Sequence, residues 1–171
     1  AAGAAHRPRH VAGAVDPLHL RDWKALGRSW IATATVPGSG REDITADEAF
    51  DFWAASPGLT DPLIDGVMVD EFPGGDQPKY DAYRAAVERI AADVRFKSKS
   101  FSPYSCGGGG ILSGYTGTDR CQQFARACLA TGGEIAIERY LVEQPTEAAA
   151  RSYIDEELFS NWNMPRFEQD F

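Results

Sequence analysis

Hydrophobic residues recur in this chain with two spacings, and the two spacings alternate along most of its length. Short runs rich in β-branched residues, such as 30–36, stop at Pro or Gly, as buried strands do. Longer segments, such as 78–95, repeat apolar residues every three or four positions, which predicts amphipathic helices. Together the patterns predict helices at 17–26, 45–55, 78–95, 119–130 and 145–162, and strands at 30–36, 64–72, 99–105 and 134–142.

One helix followed by four strand–loop–helix units predicts an α/β fold with a parallel sheet and right-handed crossovers. Two architectures fit four parallel βα units: a partial TIM-barrel-like arc, with strands in sequential order, or an open doubly wound sheet, with the first strand in the centre. Residues 1–15 read as a mobile N-terminal tail and 16–171 as a single α/β domain. Because a full barrel has eight strands, the domain is also compatible with a fragment of a larger barrel.

Composition narrows the classes of partner. The chain has 171 residues, 43% of them hydrophobic, and 25 acidic against 17 basic side chains give a net charge of -8. This balance argues against nucleic acid and against an anionic membrane surface, both of which require clustered Lys and Arg. The chain contains no run of 18 apolar residues, which is the length that predicts a transmembrane helix. The sequence leaves the compartment open; an extracellular or periplasmic location is one that it allows.

The chain has three cysteines, Cys106, Cys121 and Cys128. Because the number is odd, the cysteines do not by themselves indicate a set of disulfide bonds. Buried thiols are the expected state, and a Cys106–Cys121 bridge is the alternative in an oxidising compartment. No metal site is expected, since the three histidines lie near the N-terminus and no Cys-x-x-Cys accompanies them. No cofactor is expected either.

Acidic residues stand where predicted strands end. The apolar run from Ile64 ends in Asp70 and Glu71 before a Pro-Gly-Gly turn, and Glu138 lies on the last predicted strand. Alternation gives Asp70 and Glu138 the same face of the sheet. In α/β folds the carboxyl ends of the strands carry the ligand site. The simpler interpretation is that such acids terminate strands, cap helices or, for Glu138 and Arg139, form a structural ion pair.

Three segments together, Leu63–Phe72, Phe101–Cys106 and Ile135–Glu143, resemble consecutive strands of a glycoside-hydrolase-like (β/α)8 barrel. The resemblance implies hydrolysis of glycosidic bonds by paired carboxylates, with Asp70, Glu71 and Glu138 as the catalytic candidates. Two strand spacings separate Asp70 from Glu138 by about 10 Å at the backbone. Side chains that lean together reach the separation of about 5 to 9.5 Å used by such pairs.

The substrate of such a site is expected to be a carbohydrate or another small molecule. Tyr104, Tyr140 and Glu143 are the substrate-binding candidates, because tyrosines offer both a hydroxyl and a ring that stacks on sugars. The alternative function is a non-catalytic module that binds carbohydrate or another small ligand. Exposed sheet edges also predict self-association, or pairing with the rest of a larger chain.

The Gly-rich segment Cys106–Gly110 supports a further alternative. Its amides could bind an anion if a helix began directly after it. The spacing of the glycines matches neither Gly-x-Gly-x-x-Gly nor Gly-x-x-x-x-Gly-Lys-Ser/Thr, the two common nucleotide-binding motifs. A mobile surface loop or lid is therefore the preferred interpretation.

Overall fold

The computed structural model describes residues 9–12, 17–106, 110–138, 142–156, 166 and 169–170. Within these ranges a five-stranded sheet alternates with six α-helices and two short 3-10 helices. In chain order the elements are β1 (Arg9–Ala12), α1 (Pro17–Ala25), β2 (Ser29–Thr35), α2 (Ala46–Ala54), α3 (Pro57–Thr60), β3 (Gly66–Pro73), α4 (Lys79–Ala92), a 3-10 helix (Val94–Phe96), β4 (Ser100–Cys106), a second 3-10 helix (Gly110–Leu112), α5 (Arg120–Ala130), β5 (Ala136–Ile137) and α6 (Glu147–Ile154).

All four strand pairs of the sheet are parallel, and the strand order is β1-β2-β3-β4-β5. The predicted fold class, α/β with parallel βα units, is therefore confirmed. The order runs in sequence without a reversal, which is the order that a barrel arc requires. A doubly wound sheet would have placed an early strand in the centre.

Three elements differ from the prediction. The sheet begins with β1, Arg9–Ala12, inside the segment interpreted as a tail, because β1 pairs in register with Ser29–Ala32. Within the described residues β5 comprises Ala136–Ile137, whereas the predicted strand 134–142 includes residues 139–141, which lie outside the described ranges. Residues Pro57–Thr60, where no helix was predicted, form the short helix α3, because Pro is favoured at the first helical position.

A core of large side chains lies between the sheet and the helices α2, α4 and α5. Val67 and Val69 of β3 are fully buried on this side of the sheet, and so is Phe101 of β4. Burial of each such side chain contributes about 1.5–3 kcal/mol. An aromatic cluster fills the centre of this core: Trp53, Phe72, Tyr80, Tyr83, Phe101 and Phe124.

The starts of α2 and α5 are capped differently. Thr45 Oγ1 accepts from the Glu48 amide at 3.2 Å, and Glu48 accepts from the Thr45 amide at 2.8 Å, so a capping box begins α2. Asp119 makes no side-chain cap bond at the start of α5. Gln122, three residues later, is buried, and its Oε1 accepts from the amides of Thr116 and Gly117.

The three cysteines carry free thiols, and those of Cys121 and Cys128 are buried as expected. The alternative, a Cys106–Cys121 bridge, is not formed. No helix in the described part of the chain is long and apolar enough to cross a membrane.

Candidate functional site

The face of the sheet opposite the aromatic core, here called the open face, carries the candidate site. Strand alternation and the β2–β3 register give Thr33, Thr35, Met68 and Asp70 to this face. All four are exposed or half-buried, whereas Val67 and Val69 on the other side are fully buried. The carboxyl ends of these strands are therefore accessible on the open face.

A β-bulge interrupts β3 at the two predicted acids. Val69 pairs with Pro103 and Phe72 with Ser105, so Asp70 and Glu71 together oppose the single residue Tyr104. The extra residue resets the alternation, because Phe72 returns to the core side while both acids are exposed. Bulges of this kind occur next to active sites, where they change the direction of a side chain.

The bulge holds Glu71 in a strained backbone conformation. Its φ is 68°, and within the described ranges it is the only residue other than glycine with a positive φ. A left-handed conformation costs an L-residue about 1–2 kcal/mol. The Glu71 amide donates to Oδ1 of Asp70 at 2.9 Å, which also fixes the Asp70 side chain. Such outliers concentrate at functional sites.

Cys106 is the last residue of β4, and the charges of the predicted acids influence its thiol. Burial raises the pKa of its thiol above the usual value, and the nearby carboxylates of Glu138, Glu71 and Asp70 raise the pKa further. Each of the three predicted catalytic acids is therefore near enough to this half-buried side chain, at the carboxyl end of the sheet, to influence its pKa.

The substrate-binding candidates have different outcomes. Tyr104 is half-buried opposite the bulge, between the strand of Asp70 and that of Ala136. The Glu138 amide donates to Ser105 O at 2.7 Å, which continues the β4–β5 pairing to Glu138. Glu143 is exposed. Tyr140 lies outside the described residues, as does Arg139, the suggested ion-pair partner of Glu138.

A cavity of about 510 Å³ opens beside the bulge, and Asp70 and Glu71 line it together with Thr35 and Ser39 of the segment after β2. Tyr83 closes one wall, and its hydroxyl donates to Pro37 O at 2.9 Å. Burial, followed by the charge of Glu42, raises the pKa of Tyr83 to about 12. The volume lies within the range of about 300–1,000 Å³ typical of small-molecule sites.

Lys79 also lines this cavity, and the sequence interpretation did not identify it. Its side chain is only 14% exposed and forms an ion pair with Glu42 at 3.5 Å. A signal was present in the sequence, because a Lys directly after Pro78 stands at the start of a helix, where acidic residues are favoured.

In the described residues no α-helix begins directly after the Gly-rich segment. Gly110 begins a 3-10 helix, and α5 starts only at Arg120. The Ile111 amide donates to Ser105 Oγ at 2.8 Å, so this amide is used within the fold. Residues 107–109 lie outside the described ranges, and the lid interpretation with them.

A second, larger groove of about 970 Å³ lies in the helix layer between α4 and α5. Its charged groups belong to Arg84, Glu88, Arg126 and Asp170, and Asp170 pairs with Arg126 at 3.6 Å. None of the predicted acids lines this groove. Asp70 and Glu71 line the smaller cavity at the strand ends, which is the candidate site, whereas Glu138 and Tyr104 are not among its lining residues.

Comparison with known proteins identified no matching family model, no similar curated protein and no similar solved structure. The candidate site is therefore interpreted from its own geometry. Among the described residues, no group of three His, Cys, Asp or Glu side chains is arranged to hold a metal ion.

Proposed function

We propose that this chain is a carbohydrate-active, glycoside-hydrolase-like domain that uses Asp70, Glu71 and Glu138 on glycosidic bonds. One observation carries the proposal: the β3 bulge turns two consecutive carboxylates onto the open face, opposite Tyr104. A parallel sheet of sequential strands with acids at its carboxyl ends is the framework that such hydrolysis uses.

The proposed reaction divides the work between two carboxyl groups. One carboxylic acid protonates the leaving oxygen of the glycosidic bond, and the second, as a carboxylate, attacks the anomeric carbon or activates a water molecule. Asp70 is the candidate on β3 and Glu138 the candidate beyond β5, with Tyr104 between them. Glu71 is the alternative partner of either acid.

Orientation supports Asp70 over Glu71 as the first acid to test. Asp70 accepts the Glu71 amide through one carboxylate oxygen, so its side chain is held in place before substrate arrives. A preorganised group needs no further ordering during the reaction, which is a main source of catalytic effect. Tyr104 offers a hydroxyl for a sugar hydroxyl group and a ring for stacking.

The test measures hydrolysis of a panel of aryl glycosides by the wild-type protein and by Asp70→Asn, Glu71→Gln and Glu138→Gln. Loss of an acid or base group is expected to lower kcat by about 10² to 10⁴. Asp51→Asn on the exposed surface of α2 is the matched control and should leave kcat unchanged.

The rival function is a module that binds carbohydrate without turning it over. Binding needs the hydroxyl and ring contacts but not a proton donor, so Asp70→Asn should then bind the same sugars nearly as well as the wild-type protein. Wild-type binding without turnover of any glycoside would support this rival. Equal turnover by all three acid variants would remove these residues from the mechanism.

A further inference from the structure

The ammonium group of Lys79 is poorly matched to its surroundings. The side chain is 86% removed from solvent, since 14% of it is exposed. It also stands at the first position of α4, where the helix dipole disfavours a cation. Within the described part of the chain its one ion-pair partner is Glu42, at 3.5 Å, and Glu42 is 68% exposed. Because Glu42 lies largely in solvent, its charge is screened and offsets only part of the cost of burying the Lys79 ammonium group.

A ligand bound in the cavity can give the Lys79 ammonium group the close hydrogen-bond acceptor that Glu42, at 3.5 Å, does not provide. Lys79 lines the same 510 Å³ space as Asp70 and Glu71. An ammonium group only donates hydrogen bonds, whereas ionised carboxylates only accept them. A ligand that satisfies both kinds of group must donate and accept at neighbouring atoms, as the hydroxyl groups of a sugar ring do.

The charge of the lining selects against acidic sugars. Two carboxylates and one ammonium group give the cavity walls a net negative charge, and the whole chain carries -8. A uronate would place a third carboxylate beside Asp70 and Glu71, and like charges at short distance repel. A neutral ring meets no such repulsion.

We infer that Lys79 determines substrate choice at this site: it donates a hydrogen bond to a hydroxyl group of a neutral sugar residue whose other hydroxyls donate to Asp70 and Glu71. This inference rests on the proposed carbohydrate function and adds the substrate class. Lys79 holds the sugar and takes no part in proton transfer.

The experiment measures binding by saturation-transfer NMR and titration calorimetry. The probes are methyl glycosides of neutral hexoses and pentoses, with the corresponding uronates and hexosamines. Neutral glycosides should bind and uronates should not. Lys79→Met should weaken neutral-sugar binding about tenfold to a hundredfold, the range for a hydrogen bond to a charged group. Lys97→Met, at an exposed lysine beside the starts of the strands, is the matched control and should bind normally.

Stability separates a binding role from a structural one. Removing a cation from a helix N-terminus should leave the melting temperature of Lys79→Met equal or higher. Glu42→Gln, which removes the ion-pair partner, should retain sugar binding. If Lys79→Met and Glu42→Gln both lose the same stability and neither changes binding, the ion pair is structural and the inference fails. Preferential binding of uronates would also overturn it.

Failure of the Lys79 inference can be distinguished from failure of the proposed hydrolysis. Turnover with an unchanged KM in Lys79→Met would refute the role of Lys79 and leave the hydrolase proposal standing. Lys79-dependent sugar binding without turnover by the wild-type protein would support the inference and refute hydrolysis.

Discussion

Replacement of Glu71 by glycine should stabilise the fold although it removes a candidate catalytic group. Glu71 has a φ of 68° at the bulge in β3. Glycine adopts this conformation without the steric cost that a Cβ atom imposes. Most substitutions destabilise a protein, so an increase in stability at an acid of the candidate site is a specific expectation.

The magnitude follows from two opposing contributions. Relief of the left-handed conformation is worth about 1–2 kcal/mol. Glycine also makes the unfolded chain more flexible, which costs about 0.4–1 kcal/mol. From the middle of each range the net gain is about 0.8 kcal/mol, which for a chain of this size raises the melting temperature by about 2–3 °C.

Glu71→Ala is the control because it removes the same carboxylate and retains the strain. Urea unfolding of both variants, analysed with a common m-value, gives the difference in the free energy of unfolding. Glu71→Gly should be the more stable of the two by about 0.5–1 kcal/mol. At an ordinary strand position a glycine variant is less stable than the alanine variant. If Glu71→Gly proves less stable than Glu71→Ala, the strained conformation at the bulge is refuted.

Three further predictions use the same physical reasoning. A Cβ at Gly66 would clash with Ser100 O and lie 2.8 Å from Ser100 N, so Gly66→Ala should lower the free energy of unfolding by about 3 kcal/mol or more, measured by urea unfolding. Because carboxylates help to raise the Cys106 pKa, Glu138→Gln should increase the rate of Cys106 alkylation by iodoacetamide at pH 8, and an unchanged rate would place Glu138 away from the thiol. Burial raises the pKa of Cys128 above 9.0, so its contribution to stability should be complete below pH 9 and decrease as the pH rises above it, as thermal melts at pH 8 to 10.5 would show.

The sequence predicts the elements of this fold well because their signals are local. Helical spacing in 78–95 and the capping box at Thr45 specify α4 and the start of α2 without reference to the rest of the chain. The parallel sheet follows from the alternation of strands and helices. β1 gives no comparable signal, because a four-residue strand depends on pairing with β2 rather than on its own pattern.

The candidate site could be predicted only in part. Alternation places Asp70 on the open face, but regular alternation would direct Glu71 to the core side. The bulge that exposes Glu71 depends on the pairing of Val69 with Pro103 and of Phe72 with Ser105, which are contacts between strands about 35 residues apart. Lys79 was missed because its cavity involves residues from three separate segments of the chain.

Phe72 explains why the strained bulge persists. Without the extra residue, alternation would direct Phe72 to the open face and Glu71 into the aromatic core. In the structure Phe72 is fully buried and its ring lies 4.7 Å from that of Phe124 and 5.7 Å from that of Tyr83. Burial of this ring contributes about 1.5–3 kcal/mol, and each aromatic pair adds about 0.5–1.5 kcal/mol. These gains exceed the cost of about 1–2 kcal/mol at Glu71. The packing of one core residue therefore holds two carboxylates at the accessible end of the sheet.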